Sequence, residues 1–348
     1  MKAVGPAVAV AVAALVCCSC GGGGSSERDA GGTVKLQGAG ASFPAPLYRK
    51  WFKDFSTANA GAQVDYQSVG SGSGVKSVID RTVDFGASDA AMTTDDMAKV
   101  PGGVQLLPMT AGSIVLIYNL PGVEKLKLSR KAYVGIFLGK VTKWNDPVIA
   151  GDNPGATLPN QPINVVVRAD GSGTTFVFTK HLSTISPEFA KNPGNQTLPN
   201  WPVGTRSKGN EGVTASVMTT PGAIGYVEYG YAHSQKAAQA ILQNKAGEYI
   251  EASVASGQAA LASATLPENL IVWEPDPASK DAYPIVTYTW IICYKEYKDK
   301  AKYDTLVKLL KYGLTEGQKD AEALGYIPLP SAVVEKVTPA IGNIKLGS

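Results

Sequence analysis

Four times along this chain a run with strand character breaks at a turn of small or hydroxyl-bearing residues. The turns are Gly38-Ala39-Gly40-Ala41-Ser42-Phe43, Gly70-Ser71-Gly72-Ser73-Gly74, Ser88-Asp89, and Arg168-Ala169-Asp170-Gly171-Ser172-Gly173-Thr174. After three of them comes a segment with apolar residues at helical spacing. Strands alternating with helices imply a mostly parallel α/β sheet covered on both faces. In open sheets of this kind the turns beyond the carboxyl ends of the strands converge on one crevice.

The last of these turns carries the most chemistry. It follows the β-branched run Ile163-Asn164-Val165-Val166-Val167 and precedes Phe176-Val177-Phe178-Thr179-Lys180-His181. Glycines admit close approach of a ligand, Ser172, Thr174 and Thr175 offer hydroxyls, and free amides of a helix start face the turn. Arg168 adds a fork of fixed positive donors. Taken alone, the stretch reads as an ordinary connection capped by Asp170. Its recurrence with three similar turns is what points to an anion site.

Expected strands cover residues 34–37, 64–67, 83–87, 106–109, 113–118, 163–167, 223–228 and 284–294. Expected helices cover 46–58, 75–80, 130–138, a stretch from 176, 212–219, 231–243, 302–314 and 316–324. Residues 145–161, dense in proline, glycine and asparagine, read as a surface loop, and 263–279 as irregular. With 348 residues and 44% hydrophobic content, the chain exceeds one simple domain, and two lobes are expected.

Residues 1–16 carry Lys2 and then an apolar run too short to span a bilayer but sized for a signal-peptide core. Cys17, Cys18 and Cys20 cluster where it ends, and a glycine-serine stretch follows. This arrangement resembles a bacterial lipoprotein signal. The resemblance implies export, a signal over 1–20, a lipid on Cys20 with Cys18 as the alternative, and a flexible tether over 21–32. The fold is expected to start near Thr33. The cysteine trio lacks a histidine or a second pair at metal-ligand spacing, so neither a metal nor a cofactor is expected. Cys293, between Trp290-Ile291-Ile292 and Tyr294, reads as a buried thiol. The 32 basic and 29 acidic side chains form no basic tract, which excludes nucleic acid as a partner.

Nucleotide and enzyme motifs fail on spacing. In Gly70 to Ser77 a valine separates Gly74 from Lys76, so no phosphate-cradling P-loop forms, and GAGASF lacks the third glycine of a dinucleotide fingerprint. No serine sits in a nucleophile elbow. His181 lies about two helical turns beyond Ser172, poorly placed as a base and read as a helix-face residue. Asp95-Asp96 reads as a solvated pair at a helix start.

GAGASFPAPLY, YQSVGSGSGVKSVI, VDFGASDA, RADGSGTTFVF and PGAIGYVEY, in that order, resemble the bacterial phosphate-binding proteins that serve ABC-type phosphate importers. The resemblance implies a two-lobed α/β periplasmic-binding-protein fold, each lobe a mostly parallel or mixed sheet flanked by helices, with the ligand in the interlobe cleft and crossover strands as the hinge. One lobe would comprise 33–108 and 287–348, the other 109–286. The implied phosphate ligands are Ser42, the Phe43 amide, Ser71, Asp89, Arg168, Ser172, Gly173 and Thr174, with Asp170 holding Arg168. Ser73 stays open as the alternative to Ser71, because the order Gly72-Ser73-Gly74 departs from the family's commoner one. Asp89, when ionised, only accepts hydrogen bonds, so it would take the proton that phosphate retains and reject fully ionised sulfate. The implied partners are the importer and, through the lipid, a membrane, with the protein itself a monomer and not an enzyme. A binding protein for another oxyanion or a secreted phosphatase is the alternative.

Overall fold

The structure, a computed structural model, describes Met1 and residues 32–347. The expected signal, the Cys20 lipid site and its Cys18 alternative, and nearly all of the tether lie outside the described residues.

One eight-stranded sheet organises the chain. Its strands are β1 (Val34–Gly40), β2 (Ala62–Ser68), β3 (Phe85–Ser88), β4 (Val104–Tyr118), β5 (Asn164–Arg168), β6 (Thr205–Ser207), β7 (Ala223–Glu228) and β8 (Val286–Tyr294). They run in the order β2-β1-β3-β8-β4-β7-β5-β6. Each flank is a parallel trio, β2-β1-β3 and β7-β5-β6. The sheet as a whole is therefore mixed, one of the two forms that the expected fold class allows. Between the trios, β8 runs antiparallel to both β3 and β4, and β4 runs antiparallel to β7. The parallel trios are the cores of two lobes, and β4 and β8 pass from one to the other. Chain that crosses between lobes in opposite directions has to pair antiparallel, and a period-3.6 or period-2 pattern carries no information about that.

Five helices and one further long one matter for the site. They are α1 (Ala45–Ala58), α2 (Ser71–Ile79), α3 (Gly173–Ile185), α4 (Gly209–Thr219), α5 (Tyr229–Gln235) and α6 (Lys300–Leu314). On α1 the expected apolar face is buried through Leu47, Tyr48, Trp51, Phe52 and Phe55, packing on β2 and α6. Each such side chain removed from water contributes about 1.5 to 3 kcal/mol before entropy is counted. Trp51 also donates its indole N–H to the Gly317 carbonyl at 2.6 Å, tying α1 to the C-terminal segment.

Several expected boundaries move. The segment expected as two strands, 106–109 and 113–118, is the single strand β4, held continuous by β8 along one side and by β7 at its far end. Its pairing slips once, between Thr289 and Trp290, which accommodates Pro108. Helix α2 begins four residues before the expected Val75, so the glycine-serine turn is itself the first helical turn. Packing overrides the low helix propensity of that turn. A Cβ on Gly74 would stand 2.5 Å from the Gly40 Cα, so only glycine lets α2 lie this close to β1. The expected helix 231–243 ends at Gln235, where Lys236 turns left-handed, and Ile241–Gln243 instead joins a small three-stranded sheet with Lys127–Leu128 and Tyr249–Ile250. The expected loop 145–161 contains a short helix, Pro147–Asp152, capped by Asp146, and 316–324 forms two 3-10 turns. Cys293 is fully buried on β8, where burial pushes its thiol up to about 12.

Candidate functional site

The first lobe supplies three turns. β1 ends at Gly40 and leads into Ser42 and Phe43, both buried, just ahead of α1. The Phe43 carbonyl accepts from the Tyr326 hydroxyl at 2.7 Å, and the Ser42 carbonyl from the Tyr231 hydroxyl at 2.6 Å. Ser71, the first residue of α2, is 2% exposed, whereas Ser73 is exposed and lines a surface groove with Gln37, Asp65 and Lys208. The geometry thus separates the two serines, with Ser71 alone turned to Asp89. The Asp89 amide donates to Ser71 Oγ at 3.3 Å.

Asp89 follows β3 directly and is 1% exposed. Its Oδ1 accepts from Thr289 Oγ1 at 2.9 Å, because β8 pairs with β3 and sets Trp290 opposite Ser88. Its Oδ2 lies 3.5 Å from both Ser71 Oγ and Thr174 Oγ1, long contacts that leave acceptor capacity there. Burial pushes the Asp89 carboxyl up to about 7, against the opposing pull of Thr289 and Arg168.

The second lobe supplies the charged turn. β5 ends at Arg168, which is 1% exposed. Its Nε and Nη2 donate to the two carboxylate oxygens of Asp170 at 2.8 and 2.5 Å, a bidentate pair. Nη1 is buried with no hydrogen-bond partner among the described residues. Burial disfavours the guanidinium charge, but the Asp170 carboxylate outweighs it and holds the Arg168 pKa above its ordinary value. Asp170 Oδ1 also accepts the Gly209 amide at 3.1 Å. Burial works against the Asp170 charge too, yet these donors keep its carboxyl below the usual range. The cap of α3 is Ser172, not Asp170: Ser172 Oγ accepts from the Thr175 amide at 3.0 Å.

The two lobes touch through these same residues. The Gly72 amide donates to the Gly171 carbonyl at 2.9 Å. Glycines make the approach possible: a Cβ on Gly173 would stand 2.6 Å from both Asp89 Oδ2 and Ser71 Oγ, and one on Gly70 would come closer still to Asp170 Oδ2. All eight residues expected as ligands therefore fall in one buried cluster at the interlobe seam, with the half-buried Asp170 at its edge.

Sequence reasoning missed Thr289, Asn210, Tyr226 and Glu228. Asn210, in the first turn of α4, is fully buried. Its Nδ2 donates to Ser42 Oγ at 2.8 Å and to Thr174 Oγ1 at 3.2 Å, its backbone amide donates to Ser42 Oγ at 3.1 Å, and its Oδ1 accepts from the Glu228 amide at 2.9 Å. The Tyr226 hydroxyl accepts from the Arg168 amide at 3.2 Å and bonds Thr175 Oγ1 at 2.7 Å. Glu228 caps α5 through its side chain, and burial raises its carboxyl well above the usual range. The only hint in the sequence was a polar residue breaking an apolar strand, as at Thr289, or opening a helix, as at Asn210. His181, expected on a helix face, is fully buried, with Nε2 at 2.9 Å from the Tyr133 hydroxyl and Nδ1 at 2.6 Å from the Pro275 carbonyl. Burial lowers its pKa to about 4, so it is a neutral structural histidine. Asp95 and Asp96 occupy the first turn of the short helix Thr94–Ala98, as expected. Among the described residues no group of three or more His, Cys, Asp or Glu is placed to hold a metal ion.

A family model described as a PBP superfamily domain matches residues 25–316. The chain is 39% identical to the phosphate-binding protein PstS of Xylella fastidiosa over 311 residues, covering 88% of this chain and 84% of the relative. It is 40% identical to PstS of Pasteurella multocida over 308 residues, covering 87% and 88%. Among solved structures, the phosphate-binding protein from Stenotrophomonas maltophilia superposes with a TM-score of 0.71 at 23% identity, covering 88% of this chain and 93% of that one. The periplasmic phosphate-binding protein PfluDING superposes at 0.73 with 20% identity, covering 87% and 93%. These two likenesses establish the two-lobed fold. The sequence relatives, each matched over more than four-fifths of its length, establish that the chain belongs to the phosphate-binding protein PstS family.

Proposed function

We propose that this protein captures one inorganic phosphate between its lobes, outside the cytoplasmic membrane, and delivers it to an ABC-type importer without catalysing a reaction. The observation that carries the proposal is the buried pairing of opposite chemistries. Arg168 keeps one unpartnered guanidinium nitrogen, while Asp89 across the seam keeps an under-used carboxylate oxygen. A cation with donor hydroxyls suits any oxyanion; the carboxylate suits only one that still carries a proton. Ser42, the Phe43 amide, Ser71 and Asp89 would serve from one lobe, and Arg168, Ser172 and the Gly173 and Thr174 amides from the other. The lobes would be 33–108 with 287–348, and 109–286.

Phosphate and Asp89 would share one proton. Either the carboxylate accepts from P–OH, or the proton moves to Asp89 and the carboxylic acid donates to the anion; the count is the same. Sulfate brings no proton, so it would meet Asp89 lone pair to lone pair. A buried acceptor left facing another acceptor costs about 1 to 3 kcal/mol, and more when charged. Molybdate meets the same obstacle. A phosphatase would need a nucleophile with an adjacent base, and the buried His181 is tied to Tyr133 and Pro275 instead.

Calorimetry on a chain starting at residue 33 is the test. At pH 8, one tight phosphate site is expected, with sulfate bound at least tenfold more weakly. Arg168→Ala should weaken phosphate by about 30-fold or more, the scale for removing one partner from a buried charged contact. Equal affinity for the two anions, or unchanged affinity in Arg168→Ala, would place the anion site elsewhere. The same proposal includes a monomer anchored by a lipid on Cys20. Mass spectrometry of the membrane-extracted protein should find a lipidated cysteine as residue one, and an unmodified N-terminus beyond Cys20 would refute the anchor.

A further inference from the structure

Asn210 is on neither side of the anion contact set, yet it bonds to both halves of it. It belongs to the second lobe, as does Thr174, whereas Ser42 belongs to the first. The orientation of its amide is fixed. Oδ1 accepts the Glu228 amide proton at 2.9 Å, which only an oxygen can do, so the NH2 group is the one that faces Ser42 and Thr174. Both amide protons are then committed, at 2.8 and 3.2 Å.

The consequence for Ser42 is specific. A serine hydroxyl has one proton and two lone pairs. Here two N–H groups of the same residue, Asn210 N at 3.1 Å and Nδ2 at 2.8 Å, occupy both lone pairs. What remains is an O–H that can only donate. Thr174 has one lone pair taken by Nδ2 and keeps the other, with its proton on the side of Asp89 Oδ2 at 3.5 Å, so only Ser42 is left without an acceptor site. Because Ser42 and Asn210 sit on opposite lobes, this arrangement exists only when the lobes are together.

We propose that Asn210 is a positioning residue that, on closure, converts the Ser42 hydroxyl into an obligate hydrogen-bond donor toward the bound anion. The proposal rests on the phosphate site described above and deepens it. In that arrangement the oxygen of the anion facing Ser42 must be unprotonated, and the proton is directed toward Asp89 instead. The site therefore selects the proton's place on the ligand as well as its presence. A dihydrogen phosphate, which has a second proton to place, meets a donor where it needs an acceptor.

The test is phosphate affinity by calorimetry at pH 8 and pH 5 in wild type, Asn210→Ala and Arg168→Ala. Wild-type affinity is expected to fall on acidification, as the extra protons carried by dihydrogen phosphate and by the neutral Asp89 carboxyl have to be shed. In Asn210→Ala, affinity at pH 8 should drop about 30-fold, the scale of one lost buried polar partner. The acid penalty should shrink at least tenfold, because the freed lone pair of Ser42 can accept the second proton. That shrinkage separates positioning from a merely structural role, which would weaken binding at both pH values alike. If Asn210→Ala does not fold, Asn210→Asp, which keeps the acceptor for the Glu228 amide, is measured in its place. Its carboxylate takes the Ser42 proton, so its acid penalty should vanish or reverse. A pH 5 to pH 8 affinity ratio equal to wild type in the folded variant overturns the role of Asn210. Unchanged affinity in Arg168→Ala overturns instead the phosphate site on which it rests.

Discussion

Asp89 is held by unequal partners, a short bond from Thr289 on one oxygen and two long contacts on the other, in a site that burial has made costly for charge. Its carboxyl titrates at about 7 where an unfolded aspartate titrates near 4. The folded protein thus binds more protons at Asp89 than the unfolded chain between those values. The stability that Asp89 contributes is fully present below about 4 and is lost as pH rises through about 7. The same titration predicts sulfate behaviour. Below about 7 the neutral carboxyl can donate to an unprotonated oxygen, so sulfate affinity should rise at least tenfold between pH 8.5 and pH 5.5. In Asp89→Asn, whose amide donates at every pH, sulfate should bind with little pH dependence. Calorimetry with sulfate at the two pH values decides it, and a sulfate affinity that is flat or falls on acidification in the wild type contradicts the assignment. Arg168 stands out locally as a charged donor in its turn, whereas Asp89 and Asp170 read locally as ordinary turn or cap residues and take their proposed roles from the family's motifs. Thr289 and Asn210 were not legible, since they meet Asp89 and Ser42 across 200 and 168 residues of chain, a distance no local pattern reports.

Among the elements, the two glycine-bearing helix starts define how closely the lobes meet. Helix α3 begins at Gly173 with Ser172 as its cap, and α2 begins at Ser71 opposite it. Gly173→Ala would drive a methyl group to 2.6 Å from Asp89 Oδ2 and Ser71 Oγ. Closure would then stop short by roughly an ångström, and phosphate affinity should fall tenfold or more. The phosphate-free unfolding midpoint should stay within about 2 °C, because the lobes each keep their own packing. Affinity unchanged in calorimetry would show that the seam does not tighten around the ligand. Element existence was largely legible from periodicity, since α1, β5, β7, β8 and α6 fall within a few residues of expectation. Elements whose form is decided by neighbours were not. β4 is continuous because β8 and β7 hold it, and the chain after Gln235 becomes strand because Lys236 ends the helix and Lys127–Leu128 offers an edge.

For the molecule as a whole, two parallel trios joined by a pair of antiparallel crossing strands give stiff lobes with few covalent links between them. Such a design favours hinge motion over local rearrangement. The turns converge because each lies at the carboxyl end of its strand, a rule visible in the sequence before any coordinate. The antiparallel seam was not visible, as strand direction follows from the path between lobes. The central claim is that Arg168 and Asp89 face each other across one bound phosphate. A crystal structure of the chain from residue 33 grown with phosphate tests it most directly. It should show one tetrahedral anion at the seam, with Arg168 Nη1 and Asp89 Oδ2 both within hydrogen-bonding distance of it. An anion bound elsewhere, or one that reaches Arg168 while Asp89 is turned away, would contradict the account.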